Sequence, residues 1–170
     1  PLEGLVMGSR SGDIDASIVP ILMTKMNMSA DEAINYLNKK CGVLGLSGVS
    51  SDFRDLHAAA QEGNDRAKAA LEVFIYKIRK YIGSYAAAMG GVDVITFAGG
   101  IGENDPYIRK ACIVGLEFMG AHLDDSKNDG LRSKEAVIST DSSRVTVMVV
   151  PTDEELVIAR DTCELALCGK

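Results

Sequence analysis

Between Asn64 and Met89 the chain keeps one helical rhythm. Ala67, Ala70, Leu71, Phe74, Ile75, Ile78, Ile82 and Tyr85 follow the i, i+3, i+4 spacing of a long amphipathic helix, and Gly90-Gly91 stop it. The period then changes. Val92, Val94, Ile95, Thr96 and Phe97 form a compact β-branched and aromatic run bounded by glycines, which reads as a buried strand.

Upstream of that switch, Ile14, Ile18, Ile21, Leu22 and Met26 recur at helical spacing after a polar stretch. Ser29-Ala30-Asp31-Glu32 is a capping box opening a second helix through Ile34, Leu37 and Cys41. Gly42 to Gly48 is too glycine-rich for either regular state and reads as a loop or turn. Ser50, Ser51 and Asp52 offer N-caps for a short helix ending near Gly63. Downstream, a helix is expected from Pro106 to Val114, an irregular stretch from Gly115 to Gly130, strands at Ala136–Ser139 and Val145–Val150, and a last helix from Asp153 to Leu167. The order predicts an α/β protein, helix-rich with a small mixed sheet. Three strands are few for so many helices, a hint that part of the fold lies outside this sequence.

A chain of 170 residues suits one domain or two small ones. With 18 Lys and Arg against 24 Asp and Glu, its net charge of −6 disfavours nucleic acid or an anionic membrane as partner. No apolar run approaches the ~18 residues that span a bilayer. The start, Pro1-Leu2-Glu3-Gly4, has neither an initiator Met nor a signal-peptide layout, so a fragment or processed product is expected. Cys41, Cys112, Cys163 and Cys168 contain no C-x-x-C pair, and only His57 and His122 could complete a metal cluster, which argues against zinc. The expectation is reduced, buried thiols in a cytoplasmic protein.

Four places could carry chemistry. Ala98-Gly99-Gly100-Ile101-Gly102-Glu103-Asn104 follows a strand, with Asp105-Pro106 as N-cap and first residue of the next helix. Its glycines let a ligand approach the backbone, and exposed N–H groups there favour a phosphate. The P-loop Gly-Lys-Ser/Thr and the third glycine of G-x-G-x-x-G are both missing, so a tight turn needing glycine only for packing remains the alternative. Arg10, between Gly8 and Gly12, could hold a phosphoryl group in a bidentate fork or simply be solvated. Asp52-Phe53-Arg54 could border an adenine or merely begin a helix. In Pro151-Thr152-Asp153-Glu154-Glu155, Thr152 and Glu155 form a T-x-x-E capping box, which leaves Glu154 freer to anchor Mg²⁺ or to be an ordinary surface acid. One glycine turn, one arginine and one carboxylate are the parts phosphoryl transfer requires.

At these residues the sequence resembles the acetate/propionate/butyrate kinase family. The matching segments are Pro1–Asp13, Ser51-Asp52-Phe53-Arg54, Phe97-Ala98-Gly99-Gly100-Ile101-Gly102-Glu103-Asn104 and Val150-Pro151-Thr152-Asp153-Glu154-Glu155-Leu156, in the family's order from one end of the chain to the other. The resemblance implies a partial ribonuclease H-like lobe of the actin-like ATPase type. It implies phosphoryl transfer between ATP and acetate, giving ADP and acetyl phosphate, with Mg²⁺. It implies that Arg10 stabilises the transferring phosphoryl group and that Asp52, Phe53 and Arg54 lie near adenosine. Gly100 to Asn104, led in by Gly99, match the phosphate segment, and Glu154 the magnesium carboxylate.

Residues 1–170 then correspond to the C-terminal nucleotide-binding lobe, without the N-terminal lobe or the first strands of this one, and such a piece is expected to be inactive alone. The implied partners are nucleotide, acetate or acetyl phosphate, and a second copy in a homodimer. The other readings are a propionate kinase portion, or a dimerisation module with no activity of its own.

Overall fold

The computed structural model describes residues 2–168, with only the backbone at Cys168. The thiol expectation at Cys168 therefore lies outside the described residues. The chain forms two compact units that divide between Met89 and Gly90.

The first unit is helical: α1 (Ile18–Met26), α2 (Ala30–Lys39), α3 (Gly42–Ser47), α4 (Phe53–Gln61) and α5 (Asp65–Met89). The capping box forms as expected. Ser29 accepts from the Glu32 amide while the Glu32 carboxylate accepts from the Ser29 amide at 2.8 Å. α4 starts where Asp52 accepts the Arg54 amide. α5 buries Ala67, Ala70, Leu71, Phe74 and Ile75, the first half of the stripe its periodicity predicts; further along, Ile78 and Ile82 are half-buried and Tyr85 is exposed. Leu56 is wholly buried among these helices. Leu56→Ala is expected to destabilise the fold by about 2–5 kcal/mol, read as a lower denaturant midpoint at unchanged slope.

The segment expected to be a loop is instead α3. Its glycines sit mostly at the ends: Gly48 is a left-handed C-cap, and Gly42, at φ +65°, is the first helical residue. A Cβ on Gly42 would stand 2.2 Å from the Met7 carbonyl oxygen, so that glycine admits a close strand of backbone instead of breaking the helix.

The second unit carries β1 (Val94–Phe97), α6 (Gly99–Asn104), α7 (Pro106–Ile113), a 3-10 turn (Glu117–Met119), α8 (Asp125–Asn128), β2 (Ala136–Val137), β3 (Thr146–Val149) and α9 (Glu154–Cys168). The sheet is mixed, in the order β1-β3-β2, with β1 parallel and β2 antiparallel to β3. β2 is shorter than expected. Ile138 and Ser139 leave the ladder, and both of their amides turn to the Val147 carbonyl.

β1 is buried on one face only. Ile95 and Phe97 point into the core with Val147 and Val149, whereas Val94 is 49% exposed. The thiols also divide: Cys112 is buried and Cys41 half-buried, where burial pushes its thiol up, but Cys163 is exposed on α9. No described helix is long and apolar enough to cross a membrane.

Candidate functional site

In the second unit the carboxyl ends of two parallel strands lie side by side. The Val150 amide donates to the Phe97 carbonyl at 2.9 Å, so the exits of β1 and β3 are neighbours. Such strand ends are where open α/β sheets bind ligands.

The exit of β1 is not the expected turn but a short helix, α6, and its three glycines do different jobs. Gly99 has φ +69°, a conformation that strains any side chain. Gly100 faces open space: beyond its chain neighbours and its own helix backbone, no atom lies within 4 Å of where a Cβ would be. Gly102 packs, since a Cβ there would come 3.2 Å from the Phe97 carbonyl carbon. Ala98, at the N-cap, supplies no side-chain cap. Ile101 is half-buried beside these glycines. Asn104 closes the segment: its amide donates to the Gly100 carbonyl at 3.0 Å, and its side-chain oxygen accepts from Ser133 at 2.8 Å.

Glu103 joins the two strand exits. It is 8% exposed, and its carboxylate accepts both the amide and the hydroxyl of Thr152 at 2.9 Å. These bonds, the amide first, hold its carboxyl below the ordinary value of 4.5. The expected Thr152–Glu155 capping box does not form, because Glu103 has taken the threonine. α9 is capped by Asp153, which accepts from the Leu156 amide at 2.9 Å. Glu154 is therefore left free by a different route, as an exposed carboxylate at the first position of α9, two residues beyond the fixed Thr152.

A depressed Glu103 contributes stability that is complete above about pH 4.5 and lost as pH falls through its lower folded-state value. Glu103→Gln is expected to melt at a lower temperature than wild type at pH 7, with the gap narrowing as pH is lowered below about 4.5 toward the folded-state value. A gap that stays constant over that range would remove this assignment.

The first unit holds the remaining candidates. Arg10 projects exposed from a loop whose backbone is tied on both flanks. The Met7 amide donates to the Arg10 carbonyl at 3.1 Å, Cys41 to the Ser9 carbonyl at 3.0 Å, and Ser11 to the Leu37 carbonyl at 3.0 Å. Asp13 accepts from the Gly4 amide at 2.7 Å and from the Tyr81 hydroxyl at 2.5 Å, which pushes the phenol up to about 12.

The Arg10 loop lies against the start of α4, since a Cβ on Gly8 would sit 3.0 Å from the Ser51 carbonyl oxygen. There Asp52 is gripped by the Nε and Nη2 atoms of Arg54 at 3.1 and 2.6 Å, which draws its carboxyl down to about 2. Phe53 is a core residue, 7% exposed, edge-on to Phe74 at 4.6 Å between ring centroids. Arg54, 88% exposed, is the open member of the triplet.

Reasoning from sequence missed Arg109, a buried guanidinium that grips the carbonyls of Gly102 and Glu103. Its signal was position: three and four residues before Cys112 and Ile113, it falls on the apolar face of α7.

Adjacent parallel strand ends, one leading to the glycine segment and the other to an exposed carboxylate, define an α/β protein whose candidate residues meet where open sheets of this class bind ligands. The chain belongs to the acetokinase family, which matches residues 1–160. It is 62% identical over 163 residues to the acetate kinase of Thermoanaerobacterium thermosaccharolyticum, covering 95% of this chain and 40% of that protein. It is 57% identical to that of Lachnoclostridium phytofermentans, covering 97% of this chain and 42% of the relative. Among solved structures it matches Porphyromonas gingivalis acetate kinase at 51% identity and a TM-score of 0.91, over 98% of this chain and 42% of that one. A propionate kinase from Francisella tularensis matches at 41% identity and a TM-score of 0.84, over 94% of this chain and 40% of that one. The chain thus spans about 40% of the length of the curated relatives it matches.

Proposed function

We propose that this chain is the nucleotide-binding portion of an acetate kinase, acting within a longer polypeptide whose other lobe supplies the acyl pocket. The reaction is reversible phosphoryl transfer. A carboxylate oxygen of acetate forms a bond to the γ-phosphorus of ATP, the bond from that phosphorus to the β,γ-bridging oxygen breaks, and ADP leaves. The observation that carries the reading is the open backbone at Gly99 and Gly100 beside the segment that ends in Glu154.

In this reading backbone N–H groups of the Gly99–Asn104 segment donate to phosphate oxygens, with Glu103 and Asn104 holding its shape. Arg10 neutralises charge on the transferring group, which in this chemistry is mostly a matter of position and electrostatics. Asp52 and Arg54 approach the nucleoside, with Phe53 supporting them from the core. Among the described residues no three His, Cys, Asp or Glu side chains gather for a metal. Glu154 is the exposed carboxylate that would hold Mg²⁺ carried on nucleotide phosphates, directly or through water. The ion would supply charge neutralisation for the phosphates.

Acetate is favoured over propionate by the relatives' names, although the propionate kinase likeness places the same fold in both. A cytoplasmic homodimer completes the proposal. The decisive experiment is a coupled kinase assay on the complete polypeptide and on residues 1–170 alone. Acetate-dependent turnover of ATP is expected from the first and none from the second. Full turnover by the isolated chain would refute the division of labour, and none from the complete polypeptide would refute the activity.

A further inference from the structure

Arg109 is the largest wholly buried side chain among the described residues. A guanidinium has five N–H donors, and here each meets a neutral oxygen. Nε reaches Asn128 Oδ1 at 2.8 Å; Nη1 reaches the carbonyls of Gly102 and Glu103 at 2.9 and 3.0 Å; Nη2 reaches those of Asn128 and Leu131 at 3.2 and 2.9 Å. Burial draws its pKa below the ordinary arginine value, with Asp105 opposing and Arg132 adding to the effect. Asn128 is itself fully buried, and its amide donates to the Pro106 carbonyl at 2.9 Å.

A buried cation is a costly way to fill space, since an apolar side chain of similar volume does so with no charge to desolvate. What the fork supplies is geometry. It fixes the carbonyls at the end of α6, one of which belongs to Glu103. Glu103 in turn fixes Thr152, and Thr152 precedes Glu154 by two residues. One planar group therefore sits at the root of both segments that the nucleotide reading assigns to ligand.

We propose that Arg109 is the positioning residue of the nucleotide site: it touches no substrate, but its fork holds the Gly99–Asn104 backbone and, through Glu103 and Thr152, the approach to Glu154. The proposal rests on the nucleotide reading above.

The test uses the complete polypeptide. Arg109→Lys keeps the charge, but an ammonium has three donors and cannot span five oxygens. The expected result is a KM for ATP raised about tenfold with kcat changed less than about threefold, because the site's placement and not its chemistry is altered. A merely structural role would lower the melting temperature and leave KM in the folded enzyme unmoved. Wild-type KM in folded Arg109→Lys overturns the inference.

Should that variant not fold, the wild-type protein decides. The Arg109 Nε–H resonance is expected to shift and exchange more slowly on addition of ADP–Mg²⁺, and a resonance that ignores ADP overturns the proposal. Gly100→Val separates the two readings. If it binds ADP as wild type does, the nucleotide reading falls and this inference with it. If it loses ADP while Arg109→Lys keeps wild-type KM, the nucleotide reading stands and only the positioning role falls.

Discussion

Gly100→Val in the complete polypeptide is expected to weaken ADP–Mg²⁺ binding by about a hundredfold or more, a loss of roughly 2.7 kcal/mol. The melting temperature should hardly change. The two effects separate because, beyond its chain neighbours and its own helix backbone, no atom lies within 4 Å of a Cβ at Gly100, so the valine points into the space assigned to phosphate. Its φ is not in the left-handed region, so the backbone accepts a side chain, and valine is no poorer a helix former than the glycine it replaces. Gly102→Ala should show the reverse balance. There the added methyl presses on Phe97 at 3.2 Å and strains the fold before it reaches any ligand. Calorimetric titration with ADP–Mg²⁺ beside thermal melts of both variants reads the contrast. Equal ADP affinity in Gly100→Val and wild type would show that the glycines serve packing alone.

The second large effect is expected at Arg10. Arg10→Ala should lower kcat by about a thousandfold, the lower bound of what an arginine contributes when it neutralises a transferring phosphoryl group. The nucleotide KM should stay within a few-fold, since the interaction is assigned to the transition state. Arg10→Lys should recover part of the rate and no more, because a point charge cannot make two parallel bonds to one phosphoryl group. The loop's own hydrogen bonds run through backbone atoms, so neither change should unfold it. A fall in kcat below about tenfold for Arg10→Ala would return Arg10 to the class of solvated surface arginines.

How much of this was legible in the sequence depended on the distance over which each residue found its partners. α5 was plain because its apolar positions and the two glycines that end it are local signals. The Ser29 capping box was equally local and formed as written. α3 and α6 were hidden by their glycines. Composition counts a glycine against a helix wherever it falls, whereas Gly42 and Gly99 each open one with positive φ and Gly48 caps one. The T-x-x-E box failed for a different reason. Thr152 had a competing acceptor in Glu103, forty-nine positions away, which no local motif can report. At Arg109 the charge concealed a core position that its spacing on α7 disclosed. The candidate residues were picked out by local motifs, and the bonds that set their geometry were not, since they join positions far apart in the chain.

The bond between Asp13 and Tyr81 has a further meaning for the arginine loop. It buckles a stretch near the start of the chain to the middle of a helix sixty-eight positions later, and the carboxylate that makes it also grips the Gly4 amide. A loop fastened in this way is already ordered before any anion arrives. The entropy of shaping it is lost when the protein folds and not when the ligand docks. If Arg10 takes the role proposed for it, such a mount favours fast, repeatable engagement of one tetrahedral group and tolerates poorly any guest that needs the cradle to widen.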